Sequence, residues 1–587
     1  MCGIFGIFGN IHEFEKKPEL ISDIKSDLMH RGPDSQKIIH LDGSILLSTR
    51  LSIQDKSHKS NMPFESNDKK WLLAFNGEIT NHKLLRKEID KNDWKTNSDT
   101  ETIIEGISKD GISFLNKIEG MFSIVALNVI DNVVYIYRDY PGIKPLYYYD
   151  NNEFIVFSSE FPTLVRFLQK VNIPTELSKD TLLEYLIYRN TIIEPYTLVD
   201  KIKKVSPGQL LKYDIEKRNL SDISIHIYSQ TTEESNLDNI FNQAIKDNIQ
   251  SDQKMGMLLS GGVDSSTVLA KSLENGAEIE AFTLRYSDFQ NSTFSEIPFS
   301  EFVCNHLNVN LNKIILNEED FISLIPISIG EQDGNSMDPT IIAYNKIGKV
   351  VRSKNIKTVL SGTGSDEIFG SYEWLHAKDF TEFDEWMQLP FIKEFININS
   401  MDIDVIHEKA KNKRKKLIFK NNNDISFEDR LRTFGMNHLE ADALVRIDLG
   451  LMNSSVEARV PLLNQRLVQF ALSSQSMTSK QLIRDIGASL LPHEIYKRKK
   501  RGFPHPVYLW LQNSILRDYC YNSLKNSSIS YLFNLKKFFN FLYNNSKPKN
   551  KKDEIINHSK AQTIWYIFAF AIWYDKLNIK LKEEYKK

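Results

Sequence analysis

A polar turn with two glycines separates a short apolar run from a helical pattern near the middle of this 587-residue chain. The run from Met255 to Leu259 is typical of a buried parallel strand, and a helix is predicted from Thr267. The turn between them contains Ser260, Gly261, Gly262, Asp264, Ser265 and Ser266. Glycines let a ligand approach the backbone, and the N–H groups at a helix start favour an anion. Because a carboxylate in such a nest requires a cation, these residues predict a pyrophosphate and Mg²⁺ site at a strand end.

The pattern S-G-G-x-D-S-S resembles the PP-loop of ATP pyrophosphatases, which cleave ATP between its α and β phosphates to form an adenylate. It lacks the lysine of a Walker P-loop. The competing interpretation is an ordinary glycine turn between a strand and a helix. The match at every fixed position, directly after a predicted strand, favours the PP-loop.

Cys2 follows the initiator methionine, so removal of Met1 would make it the N-terminal residue. Its thiol and a free α-amine of pKa about 8 would then belong to one residue, and the amine could accept the thiol proton. The alternative is a small buried side chain, which is the commoner fate of a cysteine.

Four further blocks decide between these alternatives: H-R-G-P-D from His30, R-L-S-I-Q-D from Arg50, F-N-G-E-I from Phe75 and S-D-T-E from Ser98. Together with Cys2 they resemble the class II glutamine amidotransferase domain. The resemblance implies a catalytic cysteine with an oxyanion hole from Asn76 and Gly77. It also implies a glutamine site, in which arginine holds the α-carboxylate and two acids hold the ammonium, formed by Arg50, Leu51, Ser52, Ile53, Gln54, Asn76, Gly77, Glu78 and Asp99.

A second glycine-rich turn, S-G-T-G-S-D-E-I-F-G-S-Y from Ser361, follows a predicted strand at Thr358–Leu360. With E-A-R-V-P-L-L from Glu457 and R-K-K-R-G-F from Arg498, it resembles the asparagine synthetase family. The resemblance implies that Asp264 and Asp366 share Mg²⁺ and that Lys500 stabilises the departing pyrophosphate. The predicted ATP-binding residues are Leu259, Ser260, Gly261, Gly262, Asp264, Ser265, Ser266, Leu284, Ser361 and Gly362.

The chain departs from this family at Thr363, where asparagine synthetases place a carboxylate beside the adenylate. A threonine hydroxyl is a poor general base at neutral pH. Glu331 to Tyr344 also lacks the Thr-Thr-x-Arg run associated with aspartate-specific relatives. Aspartate is therefore the default acceptor, and a different carboxylate compound is the alternative acceptor.

The elements that must hold these residues predict two domains. The first, at 2–215, is an α+β N-terminal nucleophile sandwich of layered antiparallel sheets with helices. A linker is predicted at 216–235. The second domain, at 236–587, is predicted as an α/β PP-loop domain with a parallel sheet and a mostly helical C-terminal part.

Composition excludes several classes of protein. The net charge is -2 with no basic half, so no nucleic-acid partner is expected. No apolar run is long enough to cross a membrane, and no secretory signal precedes the first strand. The three cysteines, Cys2, Cys304 and Cys520, lie far apart and suit a reducing cytoplasm. A homodimer remains possible.

These patterns predict an enzyme that uses ATP and Mg²⁺, hydrolyses glutamine and transfers the ammonia to a carboxylate activated as its adenylate. By default it would make asparagine from aspartate. The alternatives are a ligase that amidates another carboxylate or closes an amide ring, and a non-catalytic scaffold that keeps the fold. Thr363 is the one feature that favours the scaffold.

Overall fold

A computed structural model gives the structure of residues 2–15, 17–189, 194–223, 237–289, 295–335, 337–370, 372–397, 400–419, 426–439, 443–473, 480–498, 505–544 and 548–582. These are the described residues in all that follows.

Two antiparallel sheets of six strands each form the N-terminal half. Their strands are β1 (Cys2–Gly9), β2 (Ser35–Leu41), β3 (Ser44–Arg50), β4 (Phe64–Glu65), β5 (Trp71–Ile79), β6 (Gly120–Asn128), β7 (Val133–Arg138), β8 (Tyr147–Asp150), β9 (Phe154–Ser158), β11 (Ile202–Lys204), β12 (Leu210–Asp214) and β13 (Asn219–Ile223). The strand orders are β11-β8-β9-β1-β3-β2 and β13-β12-β7-β6-β5-β4. The short strand β10 (Glu176–Leu177) belongs to neither of these two sheets.

Strand β1 has two buried faces, which explains its nearly continuous apolar sequence. Ile4 and Phe8 lie in the core between the two sheets. Phe5 and Ile7, which alternate with them, pack against helices on the outer side. The N-terminal helices are α1 (His12–Glu15), α2 (Pro18–Leu28), α3 (His82–Ile89), α4 (Asp99–Asp110), α5 (Phe161–Lys170) and α6 (Lys179–Tyr188). The predicted layered α+β sandwich is confirmed.

A parallel sheet of five strands forms the centre of the C-terminal half. Its strands are β14 (Met255–Leu258), β15 (Ile279–Tyr286), β16 (Leu311–Leu316), β17 (Thr358–Leu360) and β18 (Glu457–Arg459), in the order β16-β15-β14-β17-β18. The strand β19 (Lys580–Leu581) pairs with β10 of the N-terminal half. The predicted parallel α/β sheet is confirmed.

Helices surround this sheet and make up most of the C-terminal part. They are α7 (Leu237–Asn248), α8 (Val263–Glu274), α9 (Ile297–Leu307), α10 (Glu318–Ser328), α11 (Thr340–Ser353), α12 (Ser365–Phe369), α13 (Phe380–Met387), α14 (Ile392–Phe395), α15 (Ser400–Ile418), α16 (Phe427–Leu439), α17 (Val445–Met452), α18 (Gln465–Ser473), α19 (Gln481–Ala488), α20 (His493–Tyr496), α21 (Val507–Asn513), α22 (Ile515–Asn526), α23 (Leu535–Asn544) and α24 (Lys551–Lys576). Within the described ranges, no helix is both long enough and apolar enough to cross a membrane.

The structure changes two predicted boundaries. Helix α8 begins at Val263 instead of Thr267, with extended Gly262 before its first residue, so Asp264 lies in its first turn. Strand β13 lies inside the stretch 216–235 that was predicted as a linker, because its backbone pairs with β12 along its whole length. The rest of that stretch, from residue 224, lies outside the described residues.

Charged pairs join the two halves. Arg31 lies 2.9 Å from Asp448, Lys204 lies 3.0 Å from Asp333, and Arg466 lies 2.8 Å from Glu119. The terminal helix α24 also packs inside the shared core, since Trp573 stacks against Phe161 of the N-terminal half. Cys2, Cys304 and Cys520 are all free and buried, and the cytoplasmic location expected from their spacing stays a prediction.

Candidate functional site

Cys2 begins β1 directly opposite Arg50 of β3. Burial raises the pKa of the Cys2 thiol, while a backbone hydrogen bond from Leu51 and the charge of Arg50 act in the opposite direction. A buried thiol needs such partners to reach its nucleophilic thiolate form. Its neighbours thus include both a hydrogen-bond donor and a positive charge.

Asn76 and Gly77 lie on β5, and Asn76 contacts the Cys2 backbone. The Asn76 Oδ1 accepts a hydrogen bond of 3.0 Å from the Cys2 backbone N–H. Its Nδ2 is fully buried and has no hydrogen-bond partner among the described residues. A buried donor without a partner is costly, and an oxyanion is the kind of acceptor that would satisfy it. Gly77 has φ +150°, and a Cβ there would come within 2.0 Å of the Met121 carbonyl oxygen, so the strand excludes larger residues.

The Arg50 guanidinium is buried and is oriented by neutral acceptors. Its Nη1 donates to the Ser57 carbonyl at 3.0 Å and to Asn61 Oδ1 at 3.1 Å. Its Nη2 donates to the Gln54 carbonyl at 3.1 Å and to the Asp55 carbonyl. Among the described residues no carboxylate forms an ion pair with it. The charge is therefore held in place and available to a carboxylate ligand.

Glu78 and Asp99 bring two carboxylates to the same end of β5. Asp99 Oδ2 accepts a hydrogen bond of 2.9 Å from the Ile79 N–H, and Glu78 accepts one from the Gln54 amide. Burial, with Asp99 nearby, raises the pKa of Glu78 to about 8 although Arg459 lowers it. The ionised form of Glu78, together with Asp99, would attract an ammonium group, and a bound ammonium would in turn favour that form.

The two glycine-rich turns of the second half touch each other. A Cβ on Gly362 would lie 2.7 Å from the Ser265 backbone nitrogen, so a side chain at that position would separate the turns. The Ser365 hydroxyl bridges them, donating to Asp264 Oδ1 at 2.7 Å. Both turns follow the carboxyl ends of adjacent parallel strands, β14 and β17, which brings them together.

A cavity of about 700 Å³ opens between these turns. Most of the predicted ATP-binding residues line it, namely Leu259, Ser260, Gly262, Asp264, Ser265, Leu284, Ser361 and Gly362. Gly261 and Ser266 do not. Gly261 forms the turn at φ +66° and packs against the backbone of Phe299, while Ser266 is buried inside α8. Leu284 reaches the cavity because β15 continues past the end of β14.

Asp264 and Asp366 converge on one cation, the Lys480 ammonium, which contacts both carboxylates. Burial alone would lower the pKa of Lys480, but the two acids outweigh burial and raise it. Since both carboxylates already share one positive charge, they also fit a shared Mg²⁺ completed by phosphate oxygens. Lys500 lies outside the described residues, although Arg498 just before it donates to the Ser260 carbonyl at 3.3 Å.

Thr363 also lines the cavity, where its hydroxyl lies 2.8 Å from the Ser361 hydroxyl. Glu367 and Glu373 supply carboxylates to other parts of the same wall. A charged pair lies there too, since Asp338 and Arg446 are 3.2 Å apart. Despite burial, Arg446 and its neighbours hold the pKa of Asp338 at about 2.

The sequence prediction gave no role to Arg31, Lys480 or Arg459. Arg31 is wholly buried, donates through Nε to the Cys2 carbonyl at 3.3 Å and pairs with Glu160 at 2.6 Å. Arg31 and Arg459 stand in motifs already quoted, whereas Lys480 does not, and the partners of all three lie in distant parts of the chain. A usable signal was the spacing of Glu457 and Arg459, which places both on one face of a strand.

Comparison with known proteins agrees with this geometry. Residues 236–575 match the family model described as asparagine synthase, and residues 1–224 match the glutamine amidotransferase domain. A Bacillus subtilis (strain 168) relative, asparagine synthetase [glutamine-hydrolyzing] 1, is 27% identical over 99% of this chain and 97% of its own length. The Escherichia coli (strain K12) asparagine synthetase B [glutamine-hydrolyzing] is 27% identical over 87% of this chain and 83% of its own.

A solved structure, the glutamine phosphoribosylpyrophosphate amidotransferase from B. subtilis, is 16% identical and covers 62% of this chain and 81% of its own, with a TM-score of 0.29. So low a score does not establish a common fold over the matched length. The family models together cover almost the whole chain. This chain therefore belongs to the asparagine synthase family and is a glutamine-dependent carbon–nitrogen ligase of the glutamine-hydrolysing asparagine synthetase type.

Proposed function

We propose that this protein hydrolyses glutamine at Cys2 and transfers the ammonia to a carboxylate that it activates with ATP, by default the side chain of aspartate. The Asn76 Nδ2, which lies beside the Cys2 backbone and has no partner in the part of the chain that the structure describes, supports the glutaminase half of this proposal. It is an oriented donor for the oxyanion that forms when the thiolate attacks the glutamine carboxamide.

In this reaction Arg50 binds the α-carboxylate of glutamine, and Glu78 with Asp99 binds its ammonium. The Cys2 thiolate attacks the carboxamide carbon, ammonia leaves, and water hydrolyses the resulting thioester. Asn76 Nδ2 and the Gly77 N–H stabilise the oxyanion of each tetrahedral intermediate. We assign this half-reaction to residues 2–223, and place the boundary after β13.

ATP would bind in the cavity between the two glycine-rich turns. The turn hydroxyls and the N–H groups at the start of α8 face the phosphates. Mg²⁺, when bound by Asp264 and Asp366, would neutralise phosphate charge. Lys480, which contacts both acids, would serve as a further cation for the leaving pyrophosphate, beside the role predicted for Lys500.

One observation favours a second candidate, a ligase that acts on a carboxylate other than aspartate. Thr363 supplies a neutral hydroxyl to the cavity wall at the position where asparagine synthetases have an acid. A larger acceptor would use that space, and ring closure to an internal amide would need no ammonia. Intact glutamine-site residues support the ammonia-dependent version.

Pyrophosphate release from ATP, screened over candidate carboxylates with glutamine present, tests the proposal. Asparagine formation from aspartate is the expected result. The variant Cys2→Ala should lose glutamine-dependent synthesis and keep synthesis from ammonium salts, since nothing replaces the nucleophile. Product from another carboxylate alone would favour the second candidate, and no pyrophosphate release with any acceptor would favour a scaffold.

A further inference from the structure

The short edge strand β18 joins the two sites. Its side chains at Glu457 and Arg459 point to the same face, because side chains in a strand alternate. Both are fully buried at the boundary with the N-terminal half. The Arg459 carbonyl accepts a hydrogen bond of 2.9 Å from the Ser361 N–H, at the first residue of the second glycine-rich turn. One residue thus contacts the cavity wall through its backbone and the opposite domain through its side chain.

The Arg459 guanidinium is fixed mainly by its own half of the chain. Its Nε donates to Glu457 Oε1 at 2.8 Å, and its Nη1 donates to the carbonyls of Asn248 at 2.9 Å and Gln250 at 2.6 Å. Its Nη2 is directed across the boundary and lies 3.1 Å from Glu78 Oε2. The guanidinium is therefore held in place independently of Glu78, as a fixed cation beside that carboxylate.

Glu78 depends on this cation. The charged groups around it are Arg459 and Glu457 from β18, Asp99 from α4 and the amino terminus of the chain. Burial, Asp99 and Glu457 all favour its protonated form, whereas Arg459 and, to a smaller extent, the amino terminus favour the carboxylate. Arg459 forms its well-aligned hydrogen bond with Glu457, and the pKa of that acid is about 2 despite burial. The pKa of Glu78 lies near neutral pH, so loss of the arginine changes its ionised fraction there, whereas Glu457 stays ionised.

We propose that Arg459 is a positioning residue for glutamine, which favours the charged form of Glu78, orients it toward the substrate ammonium and makes the glutamine pocket depend on a strand of the synthetase half. This inference rests on the proposed glutaminase at Cys2 and goes beyond it. Because the same residue holds the Ser361 turn, a change in that turn can reach the glutamine pocket through one side chain.

The test is Arg459→Gln in the full chain, with glutaminase kcat and KM measured from about pH 6 to about pH 9. We expect the KM for glutamine to rise about tenfold or more near pH 7.5, with a smaller change in kcat, since each pKa unit changes the ionised fraction about tenfold. The pH at which kcat/KM rises should move to higher pH. Arg459→Lys, which keeps a cation, should restore part of the affinity.

Arg466→Gln is the matched control. It removes an arginine from another arginine–glutamate pair across the same boundary, 2.8 Å from Glu119, and it lies outside both sites. It should leave the KM and the pH profile unchanged. Equal effects of the two glutamine variants, or an unchanged KM and pH profile in Arg459→Gln, would overturn the inference.

Two further outcomes distinguish a failure of this inference from a failure of the variant to fold or of the proposed function. If Arg459→Gln does not fold, Arg459→Lys carries the test: a partial rise in the KM for glutamine supports the inference, and an unchanged KM with weakened synthesis from ammonium refutes a role toward glutamine. If the wild-type chain has no glutaminase activity at all, the proposed function fails first. If the wild-type enzyme is active and the Arg459→Gln variant has an unchanged KM and pH profile, only the role of Arg459 is refuted.

Discussion

Replacing Asn76 by aspartate tests the oxyanion hole with little change of shape. Aspartate keeps an oxygen where Asn76 Oδ1 now accepts the 3.0 Å hydrogen bond from the Cys2 N–H. It loses the Nδ2 donor, which is buried and has no partner in the described structure. The substitution therefore removes one of the two donors assigned to the transition state and leaves the bond that positions the nucleophile.

The magnitude follows from the burial of this donor. In a site without water, one oxyanion donor typically contributes about 10²–10³-fold to kcat, or about 3–4 kcal/mol. Asn76 is fully buried, so water cannot replace the lost donor. We expect kcat for glutamine hydrolysis to fall at least about 10²-fold, with little change in the KM for glutamine, because the substrate carboxylate and ammonium bind elsewhere.

The assay compares glutamate release with synthesis from ammonium salts in the same preparation. Synthesis from ammonium should continue at the wild-type rate, since it does not use Asn76. Asn76→Ala is the paired variant, because it loses both the donor and the acceptor and should also loosen the Cys2 backbone. A glutaminase kcat for Asn76→Asp within about threefold of wild type would refute the oxyanion role.

Three more predictions concern the second half and the boundary. Asp366→Asn removes one of two acids that share the Lys480 ammonium, so pyrophosphate release should fall while glutaminase activity persists; loss of both would indicate misfolding, which circular dichroism detects. If a base is missing at position 363, Thr363→Glu should raise asparagine formation from aspartate and ammonium by about 10²-fold or more; an unchanged rate would show that position 363 takes no part in the reaction. Arg31 and His30 outweigh burial and hold the pKa of Glu160 at about 2, below its ordinary 4.5. This pairing stabilises the fold above about pH 4.5 by ~3 kcal/mol and is lost as pH falls toward 2, so the Tm difference between wild type and Glu160→Gln should shrink over that interval; a constant difference would contradict the pairing.

Contiguous sequence was enough for those parts of the site whose geometry is local. The Ser260 and Ser361 turns, each between an apolar strand and a helix, determine where the N–H groups of the two helix starts lie, because parallel strands end at one edge of the sheet. The apolar residues and glycines that follow Cys2 are likewise typical of a closely packed strand, and the structure shows that β1 begins at Cys2 and is covered on both faces. Helix periodicity was less exact, since α8 begins at Val263, where the polar first turn hides the apolar pattern.

Only the tertiary structure determined which charges meet. Arg31 reaches Asp448, 417 residues away, and Arg459 reaches Glu78 across the domain boundary. Lys480 stands between Asp264 and Asp366, although its own segment gives no sign of these partners. Sequence patterns encode the period of a helix or a strand, which is local. The position of a buried charge depends on how whole elements pack, and its energy depends on every charge and dipole that this packing brings within a few ångströms.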